Sequence, residues 1–182
     1  MHCFLIASLP DLQLDAAPPM SVEEFDSLCK EELSSDKFAA LTAFDGTVSP
    51  DFRGSDTLSD LYNAYGKFEL YVRNRIARRR ADRAGEQLEL PDPPEYFGEY
   101  DFAASALANT ADPAEREMVI DRLRWNFIEE QLLNKEFSFD AICAYRLKLA
   151  IVNKYRYRKL EPGRKNFDAA LERLSQNNFR QE

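Results

Sequence analysis

From Thr57 to Arg83 the chain carries apolar residues at helical spacing, and no proline interrupts the run until Pro91. Leu58, Leu61, Tyr62, Tyr65, Phe68, Val72 and Ile76 fall on one stripe with a 3.6-residue period. The pattern predicts a helix of roughly 40 Å, at about 1.5 Å per residue. Any fold must cover that stripe, so Phe68 and Val72 are expected in the core, as are Leu149 and Val152 on a later helix. Most of the arginines of this first helix sit in its last turns, where cations complement the helix C-terminus.

Other helices announce themselves by their ends. Ser21 and Glu24 form a capping box ahead of a helix from Val22 to about Glu32. A second helix begins near Ser35, with Phe38, Leu41 and Phe44 on one face. Asp45-Gly46, Pro50 and Gly54 mark a loop. A short helix is expected from about Tyr100 to Ala108. Asp112 then reads as N-cap, Pro113 as first helical residue and Glu115 as completing the box, for a helix reaching Asn134. Ser138 reads as the N-cap of the next helix, with Phe137 stapled against Ile142 and an end at Glu161-Pro162-Gly163. "NFDAALERLSQ" reads as a last amphipathic helix. Cys3 to Leu9 fits either a buried helical turn or a strand.

The fold class is therefore mainly α, a helical bundle or array of about six to seven helices. At 182 residues the chain reads as one domain. Candidate sub-units 1–90 and 95–182 lie on either side of the Pro-rich loop 91–94. Sliding the chain by 80 residues aligns Asp60 with Asp140, Ala64-Tyr65 with Ala144-Tyr145, Val72 with Val152 and Arg78 with Arg158. A duplicated helical unit and a chance match are both open readings of that pattern.

Apolar residues make up 45% and charged residues 31%, so the chain is globular rather than disordered. The net charge of −8 disfavours indiscriminate binding to nucleic acid or anionic lipid. Yet the cations are gathered. Arg73, Arg75, Arg78, Arg79, Arg80 and Arg83 form one run. Arg146, Lys148, Lys154, Arg156, Arg158, Lys159, Arg164 and Lys165 form another. Tyr155 and Tyr157 in the second run would suit base stacking, but helical spacing assigns part of that run to a buried face. Cys3, Cys29 and Cys143 are odd in number and widely spaced, which fits a reducing, cytoplasmic compartment. The opening residues read as neither a secretory signal nor a membrane span.

No catalytic, cofactor-binding or metal-binding residue is assigned. His2 is the sole histidine. No Cys/His cluster has metal-site spacing and no glycine-rich phosphate cradle is present. Ser21 and Ser138 read as caps rather than nucleophiles. The pairs Glu23-Glu24, Glu31-Glu32 and Glu129-Glu130 read as solvated helix faces, because adjacent helical residues point about 100° apart. Trp125 reads as core or groove lining.

"FLIASLPDLQLD" followed by "PPMSVEEFDSLC" resembles the opening of a family of uncharacterised bacterial proteins encoded among the subunits of V-type ATPases. The matching residues are Phe4, Ala7, Ser8, Leu9, Pro10, Asp11, Leu12, Pro18 and Pro19. "FDAICAYRLKLAIVNKYRYRKL" is distantly similar to the repeated helical segment of the V-type ATPase C subunit, called d in eukaryotes, through Tyr145, Asn153 and Arg156. The acidic position of that segment is not kept, and Lys148 and Ala150 stand nearby. The resemblance implies a non-catalytic accessory or central-stalk component. Its partners would be V-type ATPase subunits of the rotor ring or central stalk, not nucleic acid, with no direct insertion into a membrane. Its location would be cytoplasmic, peripheral on the inner membrane through the complex. Arg75, Arg79, Arg156 and Arg158 are the candidate partner-binding residues. A nucleic-acid-binding adaptor using the basic helix ends and a carboxylate-dependent enzyme without a recognisable motif are the alternatives.

Overall fold

A computed structural model describes residues 3–91, 95–110 and 112–156. These residues form seven α-helices and no strand. In order they are α1 (Cys3–Ser8), α2 (Val22–Glu32), α3 (Ser35–Thr42), α4 (Asp60–Ala84), α5 (Asp101–Asn109), α6 (Pro113–Gln131) and α7 (Phe139–Arg156), with a 3-10 turn at Gly98–Tyr100 before α5. The protein is mainly α. The ambiguous segment Cys3 to Leu9 is helical as α1 over Cys3–Ser8. The expected end of α7 at Glu161-Pro162-Gly163 and the helix beyond it lie outside the described residues.

Caps explain most of the helix boundaries. The Ser21 hydroxyl accepts from the Glu24 amide at 3.1 Å, and the Ser21 amide donates to Glu24 at 2.7 Å. Ser59, rather than a residue nearer Thr57, caps α4 by accepting from the Tyr62 amide. Gly85 ends that helix at φ 71, a left-handed conformation with no steric penalty for glycine. Asp112 caps α6, but the amide it takes is that of Ala114.

One expected helix end is corrected, and two expected local contacts are not made. α6 stops at Gln131, and Leu132 caps it. Asn134 then takes φ 64, which turns the chain out of the helix two residues later. α7 begins at Phe139, so Ser138 stands at the expected N-cap position, but its buried hydroxyl makes no capping hydrogen bond. Phe137 remains 63% exposed while Ile142 is fully buried, so the expected staple is not made.

The long helix is more deeply enclosed than one stripe requires. Besides the predicted face, α4 buries Leu70, Tyr71, Asn74 and Glu69, because α5, α6 and α7 all pack against it. Phe68 is the hub. Its ring stacks on Phe127 of α6 at 4.2 Å between centroids, with Tyr100 and Phe97 edge-on around it. Val72, Leu149 and Val152 are buried as the spacing predicts. Gly66 lets the Phe52 ring lie against α4, where a Cβ would come within 2.4 Å of it. One core cluster joins residues on both sides of loop 91–94, from Leu5 to Val152.

Polar ties bind the N-terminal helices to α7. Arg146 grips Asp26 through two nitrogens at 2.8 and 2.9 Å and donates to the Phe44 carbonyl at 2.9 Å. Asn153 donates to the Met20 carbonyl and Tyr145 to that of Pro10. Such pairings satisfy groups that burial would otherwise leave without water.

Candidate functional site

The two basic runs take different fates in space. Helical geometry fans successive residues by about 100°, so one sequence run divides between helix faces. Arg73 turns to the Val48 carbonyl at 2.9 Å, and Arg78 reaches the Leu90 carbonyl at 3.3 Å. Arg75 pairs with Asp101 at the start of α5, Nη2 to Oδ2 at 2.7 Å. Arg79 and Arg80 are exposed, with no hydrogen bond or ion pair among the described residues. Beside them Arg75, Arg78, Arg79, Ala81, Asp82 and Leu88 line an open groove of about 350 Å³.

Asp101 anchors this corner. It accepts from the Tyr71 hydroxyl, from Arg75 and, at 3.4 Å, from Tyr96. Burial pushes its carboxyl up, but the Tyr71 hydroxyl and the Arg75 charge outweigh burial and hold it below the usual carboxylate range. The same environment raises the Tyr71 hydroxyl well above its ordinary value, through burial first and then Asp101.

The second basic run is committed to ion pairs where it is described. Arg146 is committed to Asp26. Lys148 lies over the Trp125 ring at 4.6 Å and meets Glu129 at 3.0 Å. Lys154 reaches Asp121 at 3.0 Å. Of the candidate docking residues there, Arg156 is the last residue of α7, and its side chain lies outside the described residues, as does all of Arg158. Tyr155 is likewise placed by its backbone alone, and Tyr157 lies outside.

Sequence reasoning missed the buried charges. Arg124 on α6 pairs with Glu69 on α4 and with Asp121 one turn before it. Burial works against the Arg124 charge, yet Glu69 and Asp121 hold its pKa above the usual arginine range. Asp121 has no exposed surface at all. The signal was weak: Glu69 and Asp121 lie close to apolar positions, but nothing in one sequence says that a helix is covered on several sides. The pair Glu129-Glu130 is exposed, as expected of a solvated face, and each residue also holds a neighbouring side chain. Glu129 accepts from Trp125 Nε1 at 2.9 Å, and Glu130 accepts from the Tyr100 hydroxyl at 2.5 Å.

A larger hollow of about 690 Å³ near the start of α4 is polar. Its groups largely answer one another. Asn63 bonds the Ser55 amide and carbonyl, and Lys67 faces Glu95 at 3.4 Å. Among the described residues, no three His, Cys, Asp or Glu side chains converge as a metal site. Among them, too, no helix is long and apolar enough to cross a membrane.

A family model described as a protein of unknown function, DUF2764, matches residues 55–178, more than half of the chain. The match begins after α3, so α1 to α3 lie outside it although they share the core. No curated protein and no solved structure matches the chain.

Proposed function

We propose that this chain, which belongs to the DUF2764 family of proteins of unknown function, is a non-catalytic docking component of a bacterial V-type ATPase. It serves as an accessory or central-stalk part, in the manner of the C-type stalk component of such complexes. The observation that carries the docking half of the reading is the exposed arginine edge at the end of α4, Arg79 and Arg80, in a chain of net charge −8. Local cations on an acidic protein steer an acidic partner and speed its association. The enclosed α4, with aromatic packing on several sides, suits a part that transmits force rather than one that opens around a substrate. The identity of the complex is supported by the likeness of Phe4–Leu12 and Pro18-Pro19 to proteins encoded among ATPase subunits. The protein works in the cytoplasm, held peripherally at the inner membrane through that complex.

Affinity purification of the tagged full chain from its own host tests the proposal. The expected result is co-purification of A, B, D or K-type ATPase subunits in fixed proportion. Recovery without them overturns the ATPase assignment. Salt-dependent retention on DNA or heparin by the purified protein replaces it with the nucleic-acid adaptor.

A further inference from the structure

We infer that the groove at the end of α4 seats an acidic segment of a protein partner, its carboxylate between Arg75 and Arg79 and an aliphatic side chain on Leu88. This rests on the docking reading above and specifies its chemistry.

Four observations converge on the groove. Its lining holds Arg79 beside Asp82, with Arg75 paired to Asp101 and Arg78 bonded to the Leu90 carbonyl. Arg75 is fixed in orientation by Asp101, which takes only Nη2 of the guanidinium fork. Its side chain keeps 31% of its surface exposed, so an incoming carboxylate meets the guanidinium charge from solvent. Arg79 is exposed and uncommitted among the described residues, so it meets an incoming anion without breaking an existing pair.

Leu88 supplies the apolar half. It lines the groove and is 43% exposed. Tyr96 is tied to Asp101, the carboxylate that holds Arg75. Arginine and aromatic residues are enriched at the centres of protein interfaces. A volume of about 350 Å³ lies at the small end for a site enclosing a whole small molecule. It suits one or two inserted side chains. A polyphosphate chain would carry its charge along the acidic remainder of the surface, where the mean field repels it.

The test places a photo-crosslinker in the groove, with the full chain carrying Leu88→p-benzoylphenylalanine and expressed in its host. Crosslinked peptides are then sequenced by mass spectrometry. The expected crosslink joins Leu88 to a segment rich in Asp or Glu with interspersed Leu, Ile or Val. Arg79→Glu should lower its yield about tenfold, and Arg79→Lys should largely keep it. Arg substituted for the partner's crosslinked acid should restore binding to the Arg79→Glu chain. Arg79 is exposed and has no partner among the described residues, so equal melting temperatures for these variants are expected and separate docking from folding. A crosslink to nucleic acid, to a basic segment, or one indifferent to Arg79→Glu overturns the inference. ATPase subunits that co-purify but do not crosslink here would sink the groove and leave the proposed function standing. An acidic partner from outside the ATPase would do the reverse.

Discussion

Arg124 on α6 and Glu69 on α4 form a two-nitrogen ion pair inside the helical core, with Arg124 Nε 2.8 Å from Glu69 Oε2. Asp121 receives the third arm of the same guanidinium at 2.8 Å, and Lys154 of α7 donates to the same Asp121 oxygen, Oδ1, at 3.0 Å. Three helices are thereby keyed to one another by charge in a place where an unmatched charge would be costly.

Breaking that pair on one side should therefore hurt more than removing it whole. Glu69→Leu leaves Arg124 buried with Asp121 alone and should cost about 3 kcal/mol. Glu69→Leu with Arg124→Met should cost less than the two single changes added, by at least about 1 kcal/mol. Urea unfolding of the parent and the three variants measures the coupling. Strict additivity would mean that the pair does not act as a unit.

The aromatic hub predicts a larger single effect. Phe68→Ala empties the centre of a cluster formed with Phe127, Tyr100 and Phe97, and the surrounding helices cannot close over the space. The expected loss is roughly 3–5 kcal/mol. An unchanged urea midpoint would contradict the placement of this ring at the core.

Thiol chemistry should sort the three cysteines by position. Burial, aided by the Asp26 charge, pushes the Cys29 thiol up to about 12. Burial also pushes Cys143 up to about 11, against the opposing Ser59 and Tyr62 hydroxyls. Both have no exposed surface, whereas Cys3 is partly exposed. Alkylation of the native protein near about pH 8 should therefore label Cys3 and reach the other two only on unfolding, since the thiolate is the reacting form. Peptide mapping after timed alkylation reads the order. Early labelling of Cys143 would show that α7 opens readily.

Acid should weaken the corner that holds the groove. The Asp101 carboxyl is depressed in the folded protein by Tyr71 and Arg75 in spite of burial. A depressed carboxyl contributes stability that is complete above its unfolded value of about 4 and is lost as pH falls through the lower folded value. Asp101→Asn removes that contribution. The stability gap between parent and variant should be widest near neutral pH and shrink as pH drops toward about 2. Chemical denaturation across this range measures it. A gap that does not change with pH would assign the effect to packing rather than charge.

Local signals determined the helices. The 3.6-residue stripe placed α4 and its buried Phe68 and Val72, and the capping box at Ser21 and Glu24 placed α2 to the residue. Such features act over four or five positions, so one sequence contains everything they need. The start of α7 after Ser138 was placed too, although its hydroxyl is buried without a partner, whereas α6 ends at Gln131, three residues before the expected Asn134.

Tertiary structure alone decided which charges face inward. Arg75, Arg79 and Arg146 are alike in sequence, each an arginine on a helix. Asp101, 26 residues along the chain, claims Arg75, and Asp26, 120 residues back, claims Arg146, while Arg79 meets no described partner. Asp121 lies one turn from Arg124 on the same helix, whereas Glu69 meets Arg124 only because α4 packs on α6. Charge pairing acts only over a few ångströms, and at such separations along the chain folding alone supplies the proximity.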